Sequence, residues 1–214
     1  MDVRESLASL LEQSLGKTLE NISQQQVPTS GGSAAALAGA LAASLTSMVA
    51  HSARDHWEGA GGVIAQADTL QAQLCILVSR DAEAYGKARV LLHKAGADPE
   101  RGGIAASSGS VTPQQEERDL ELASALWAAA GALVRIAEAA ADVAALAASA
   151  VEAAGVDERA DALVAASLAE AAAFGAAQLV LVNLAVRPLD ELATRAQAAA
   201  RAAAESRSRA LESI

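Results

Sequence analysis

Asp81 is the residue whose setting most suggests chemistry. It falls in the series Leu74, Val78, Asp81, Tyr85, Ala88 and Leu92, whose 4-3-4-3-4 spacing places all six on one helix face. A carboxylate in the middle of an apolar stripe is held away from water. That disfavours its charged form and lifts its pKa toward the range useful for general acid–base work. The competing reading puts Asp81 at the margin of the stripe, bound to a neighbouring arginine.

Other polar groups lie in apolar or glycine-rich surroundings. Ser30-Gly31-Gly32-Ser33 precedes an uncharged run. Glycines permit close backbone approach, and the free N–H groups of a helix N-terminus favour an anion or a polar ligand edge. A simple lead-in to a helix explains the same residues, and the Gly-Lys-Ser/Thr of a P-loop is missing. Arg135, Glu138 and Asp142 are the charges between Ala123 and Val151. Their three-then-four spacing gives one face, as a solvated stripe with an Arg135–Glu138 pair would have. Asn183, within Val180-Leu181-Val182-Asn183-Leu184, needs hydrogen-bond partners if buried, from another helix or from a ligand. His51 and His56 are five apart, off the i, i+4 spacing of helical metal ligands. The single Cys75 supports neither an intramolecular disulfide nor a Cys-based zinc site. No metal centre is expected.

The elements that must hold these groups are helices. Asp2 and Glu5 form a capping box ahead of the apolar positions Val3, Leu7, Leu10 and Leu11. After Gln24-Gln25-Gln26 and the turn around Pro28 to Ser33, a second helix is predicted from near Ser33 to Ala50. Gly61-Gly62 is read as a break before a third helix, about Val63 to Lys94. Gly96 to Val111 is a long polar loop. Thr112-Pro113-Gln114-Gln115 then caps a fourth helix of about forty residues, with a bend expected near Gly131. Asp157 is the expected cap of a fifth, and Pro188 the opening of a charged C-terminal one.

Composition agrees with an all-α, multihelical single domain over residues 1–214. Apolar residues are 52% of the chain but aromatics only 2%, so the apolar mass is chiefly Ala and Leu. Alanine loses no side-chain entropy in a helix, and no stretch is rich in the β-branched and aromatic residues that strands favour. A net charge of −10 without a dense Lys/Arg run argues against nucleic acid as a partner. The N-terminus lacks the basic-then-apolar order of a signal peptide, and a cytoplasmic location is expected. Ser33 to Ala50 and Ala162 to Val186 are apolar enough to resemble membrane spans. Their content is mostly alanine, near neutral in membrane insertion, so they are read as buried helices and no membrane partner is expected. With so little charge, these two helices should be surrounded by others, and a homodimer would help cover them.

In their order along the chain, these blocks resemble the cyclodeaminase/cyclohydrolase family of tetrahydrofolate enzymes. Gly31-Gly32-Ser33-Ala34-Ala35-Ala36-Leu37-Ala38-Gly39-Ala40-Leu41 with Ser47-Met48-Val49-Ala50 is similar to the family's glycine-rich turn and second helix. Leu77-Val78-Ser79-Arg80-Asp81-Ala82-Glu83-Ala84-Tyr85 is similar to its Asp-Ala-Glu-Ala-aromatic segment. Ala137-Glu138, Asp161 with Val164-Ala165-Ala166, and Val182-Asn183-Leu184 fall at matching intervals. The resemblance spans roughly residues 25 to 190 and implies a multihelical homodimer.

It also implies Asp81 as catalytic acid/base, Gly31, Gly32 and Ser33 as a substrate-contacting turn, and Asp161 and Asn183 as supporting polar contacts. The implied reaction is at the one-carbon bridge between N5 and N10 of tetrahydrofolate. It is either methenyltetrahydrofolate cyclohydrolase or formiminotetrahydrofolate cyclodeaminase, with the folate as substrate and no metal or redox cofactor. A chain without a formiminotransferase domain leans toward the cyclohydrolase. Departures are concentrated where a ligand would lie. The family's Pro-Gly-Gly-Gly-Ser is Thr29-Ser30-Gly31-Gly32-Ser33, its basic segment after the second helix is Ala53-Arg54-Asp55-His56-Trp57, and Gln178 stands where it has asparagine. They motivate the alternative of a non-catalytic helical dimer that keeps the scaffold without the activity.

Overall fold

Ser30 decides where the second helix begins. Its backbone is extended and its hydroxyl accepts from the N–H groups of Gly32 and Ser33, so it is the N-cap. Serine is among the preferred caps, worth about 1 kcal/mol against alanine. Gly31 and Gly32, expected in a turn, therefore form the first turn of the helix. The computed structural model describes residues 14–24, 30–94, 113–184 and 190–213. Among them are α1 (Leu15–Gln24), α2 (Gly31–Ser52), α3 (Ala60–Lys94), α4 (Pro113–Ala153), α5 (Val156–Asn183) and α6 (Glu191–Glu212), and no strand. The capping box at Asp2, the loop from Gly96, the cap at Thr112 and the opening at Pro188 lie outside the described residues.

Two expectations change. Gly61-Gly62 does not break the chain but lies in the first turn of α3, where glycine's propensity cost is confined to a helix end. The fourth helix has about the expected length, with Gly131 inside its 41 residues. Asp157 is not the cap of α5: Gly155 holds that position, and Asp157 and Glu158 occupy the first turn, where their charge suits the positive end of the helix dipole. Asp190 caps α6 through its carboxylate, which accepts from the Leu192 N–H at 2.9 Å.

α4 is the axis of the bundle, packed against α2, α3, α5 and α6, while α2 also packs on α3 and α5, and α5 on α6. Their register can be read from two glycines. A side chain at Gly32 would meet Asp81 of α3 and Leu133 of α4; at Gly39 it would meet Leu74 and Ala140. Seven residues forward on α2 is thus seven back on α3 and seven forward on α4. α2 runs antiparallel to α3 and parallel to α4. The ion pairs Glu138–Arg195 and Glu152–Arg209 set α6 parallel to α4 in the same way. Most of the buried apolar residues are alanines, with Leu74, Leu77, Val78, Val134, Ile136 and Val143 filling the wider gaps. Small side chains put the axes at the close end of the usual interhelical range, about 8 Å.

Gly31–Ser52, Glu116–Ala153 and Val156–Asn183 are each long and apolar enough to cross a membrane, by length and composition. Their buried faces pack on one another. As their low charge led one to expect, one chain does not fully cover α2 and α5. Leu41 and Met48 of α2, with Val164, Phe174 and Val182 of α5, are exposed.

Candidate active site

Asp81 lies one turn past the midpoint of α3, level with the start of α2, and is 2% exposed. Its Oδ2 accepts from two hydroxyls at the start of α2, that of the N-cap Ser30 and that of Ser33, the latter at 2.8 Å. The Ser33 hydroxyl is also 3.4 Å from the Val78 carbonyl. Ser30 in turn accepts from the Gly32 N–H at 3.0 Å and the Ser33 N–H at 3.4 Å. A chain of donors thus runs from the helix N-terminus through a hydroxyl to the carboxylate. The expected alternative of a neighbouring arginine is not what the fold provides: no cation among the described residues partners Asp81.

Two glycines make the approach possible. A Cβ on Gly32 would lie 2.3 Å from Asp81 Oδ1 and 2.6 Å from Leu133 Cδ2, so any larger residue evicts one of them. A Cβ on Gly31 would lie 3.3 Å from Leu179 Cδ1. Gly31, Gly32, Ser33 and Asp81 are therefore one cluster, framed by Leu133 of α4 and Leu179 of α5. Burial pushes the Asp81 carboxyl above the usual range, against the pull of the hydrogen bonds from Ser30 and Ser33. A carboxyl so placed is suited to take up and return a proton.

Asn183 follows Leu179 by one helical turn on the same face of α5 and is half-buried, at the same end of the bundle as the cluster. Asp161 is not brought there. It is exposed, and lies eighteen residues before Leu179, about 27 Å along the helix axis. The fourth-helix charges also rearrange. Glu138 accepts from Arg195 of α6 in a two-pronged pair at 2.9 and 3.1 Å, in place of the expected partner Arg135. Asp142 lines an open groove between α3 and α4 with Gln66, Thr69 and Leu146. Its carboxyl is lifted by partial desolvation, then by the charge of Glu138 one turn away.

Sequence reasoning missed Ser30 as a partner of Asp81. Its capping role could be inferred from a serine before Gly-Gly and an apolar run, but the contact spans fifty-one residues and needs the fold. Trp127 lies six residues before Leu133, about 9 Å toward the same end of the bundle, and is half-exposed. Tyr85 lies one turn from Asp81 on α3 and is also partly open to solvent. Among the described residues, no group of three His, Cys, Asp or Glu side chains is placed to hold a metal ion.

Comparison with known proteins agrees with this architecture. The family model described as formiminotransferase-cyclodeaminase matches residues 14–204. Among solved structures, the fold is similar to the crystal structure of formiminotetrahydrofolate cyclodeaminase from Thermotoga maritima. The TM-score is 0.72 at 21% identity, over 94% of this chain and 96% of that one. At that identity the likeness concerns the fold. No curated protein matches the sequence.

Proposed function

The chain belongs to the formiminotransferase-cyclodeaminase family, and from that premise we propose that it acts on the one-carbon unit of tetrahydrofolate, as a methenyltetrahydrofolate cyclohydrolase. The observation that carries this reading is Asp81, buried, without a cationic partner, and held by two serine hydroxyls at the N-terminus of an uncharged helix. Asp81 takes a proton from water as the oxygen adds to the methenyl carbon between N5 and N10. The tetrahedral adduct then breaks its bond to N5, Asp81 returns the proton to N5, and the hydroxyl proton of the adduct leaves to solvent. The products are 10-formyltetrahydrofolate and one proton. The same carboxylate lies opposite the positive charge of the methenyl substrate and stabilises it electrostatically.

The close alternative is cyclodeamination, in which N10 attacks the carbon of the protonated formimino group and gives its proton to the carboxylate, which passes it to the amino group as that leaves as ammonia. Neither reaction calls for a metal or redox cofactor. Gly31, Gly32 and Ser33 form the turn against which the folate rests, Asn183 supplies a polar contact, and Tyr85 and Trp127 offer faces for its rings. The protein works as a cytoplasmic homodimer, its partner covering the outer faces of α2 and α5.

Methenyltetrahydrofolate hydrolyses unaided, so the test is acceleration over buffer, followed by absorbance in the presence of a chelator. The rate should rise in proportion to protein. Ammonia release from formiminotetrahydrofolate separates the two reactions. No acceleration of either, with no calorimetric heat on adding any tetrahydrofolate form, would leave a scaffold without activity.

A further inference from the structure

We propose that Ser30 is a positioning residue that confines the exchangeable proton of Asp81 to one oxygen, Oδ1. The inference deepens the reading above and rests on it for the identity of the proton-transfer group. A serine hydroxyl has one proton to donate and two lone pairs to accept with. Both acceptor sites of Ser30 are engaged, by the Gly32 N–H at 3.0 Å and the Ser33 N–H at 3.4 Å. Its one proton is therefore directed at Asp81 Oδ2. A hydroxyl occupied in this way has no lone pair left to accept from a protonated Oδ2.

Ser33 does not impose the same constraint. Its hydroxyl has two acceptors within reach, Asp81 Oδ2 at 2.8 Å and the Val78 carbonyl at 3.4 Å. It could turn to Val78 and accept from Asp81, so of the two hydroxyls it is that of Ser30 that fixes Oδ2 as an acceptor. The proton is left to Oδ1, the oxygen lodged against Gly32, where the absent side chain leaves its space: a Cβ would stand at 2.3 Å. The groups that face the carboxyl are Ser30 and Ser33 at the start of α2 and Leu133 from α4. Leu179 of α5 closes the turn behind Gly31. No charged side chain among the described residues acts on it, and α3 adds only the exposed Arg80 and Glu83 beside it in sequence. The ionisation of Asp81 is therefore governed by burial, by these hydroxyls and by the Ser33 backbone N–H. Ser30 is also a position where the chain departs from the family's glycine run.

The test is a pH titration of the whole protein labelled with carbon-13 at aspartate carboxyls, the Asp81 resonance identified by its loss in Asp81→Asn. Ser30→Gly removes the hydroxyl while keeping nearly all of the capping preference. The Asp81 midpoint should rise by about one pH unit, and Ser30→Thr, which restores the hydroxyl, should return it to the wild-type value. Ser30→Cys, close in size but a weak donor, should also raise it and serves if the glycine variant does not fold. A midpoint unmoved in a folded Ser30→Gly or Ser30→Cys protein would overturn the proposal. The titration needs no substrate. A shifted midpoint in a protein that turns over no folate would therefore support the role of Ser30 while ending the proposed reaction.

Discussion

A buried carboxyl without a cation beside it makes the fold sensitive to pH in a definite direction. Burial raises the folded-state pKa of Asp81 above its unfolded value, so the native state holds the proton more tightly. The stability gained by holding it is present below the unfolded pKa and lost as pH rises through the folded one. Above the unfolded pKa, burial of this carboxyl costs stability that the neutral isostere does not lose. Asp81→Asn should accordingly melt at or above the wild-type temperature at pH 7, the difference closing near about pH 4, where the unfolded carboxyl titrates. Turnover should fall by roughly 10²–10⁴-fold, the usual worth of a placed acid or base. Full activity in a destabilised Asp81→Asn protein would end the catalytic assignment. Gly32→Ala tests the same site by space. Its Cβ would fall on Asp81 Oδ1 and Leu133 Cδ2, so loss of turnover should accompany destabilisation of about 1–3 kcal/mol from overpacking. A Gly32→Ala enzyme with wild-type rate and melting would show that the close approach is not needed. The burial of Asp81 was legible in the stripe from Leu74 to Leu92. Its partners were not, because side-chain contacts across fifty residues depend on helix register.

At the scale of the helix, the glycines separate into those that packing requires and those it does not. Gly39 of α2 faces Leu74 and Ala140, and a Cβ would stand 3.2 Å from Leu74 Cδ1. Gly39→Leu should destabilise by about 1–3 kcal/mol or more through overpacking, well beyond the gain of up to about 1 kcal/mol in helix propensity. A melting temperature at or above wild type would place that face of α2 outside the core. Gly131 is the opposite case. Nothing lies within 4 Å of a Cβ built there, in the interior of α4. Gly131→Ala should stabilise by about 0.5–1 kcal/mol through backbone entropy alone, measurable by thermal or denaturant unfolding. Unchanged or lower stability would mean that α4 needs local freedom at Gly131. The long helices were readable because alanine-rich runs with apolar spacing admit no other element. Their first turns were less so. Gly31-Gly32 and Gly61-Gly62 read as breaks by propensity alone, yet a capping serine or a chain that simply begins winding there outweighs a cost limited to one turn.

At the scale of the whole molecule, one surface lacks a cover. α2 and α5 lie side by side with α4 beneath both, so the faces turned away from α4 form one outer surface. On α2 it carries Ala34, Leu41 and Met48, spaced by seven; on α5, Val164, Ala171, Phe174 and Val182 follow one face. Phe174 is 57% exposed and Val182 70%. Scattered apolar residues are ordinary on a monomer, but a contiguous stripe over two helices is the mark of an association surface. Charge is nearly absent from it, which suits self-association because like charges across a two-fold contact would repel. The sequence had pointed to these two helices as too apolar for one chain, and the packing around α4 shows which of their faces are left open. Light scattering of the dilute protein should therefore give a dimer. Phe174→Glu together with Leu41→Glu should give a monomer, by setting carboxylates against their own copies across the contact. Neither residue touches the Asp81 cluster, so the monomer's carboxyl titration should match the wild type. A wild-type protein that scatters as a 21.5 kDa chain and binds no exposed-hydrophobe dye would remove the dimer from the account and leave this surface to solvent.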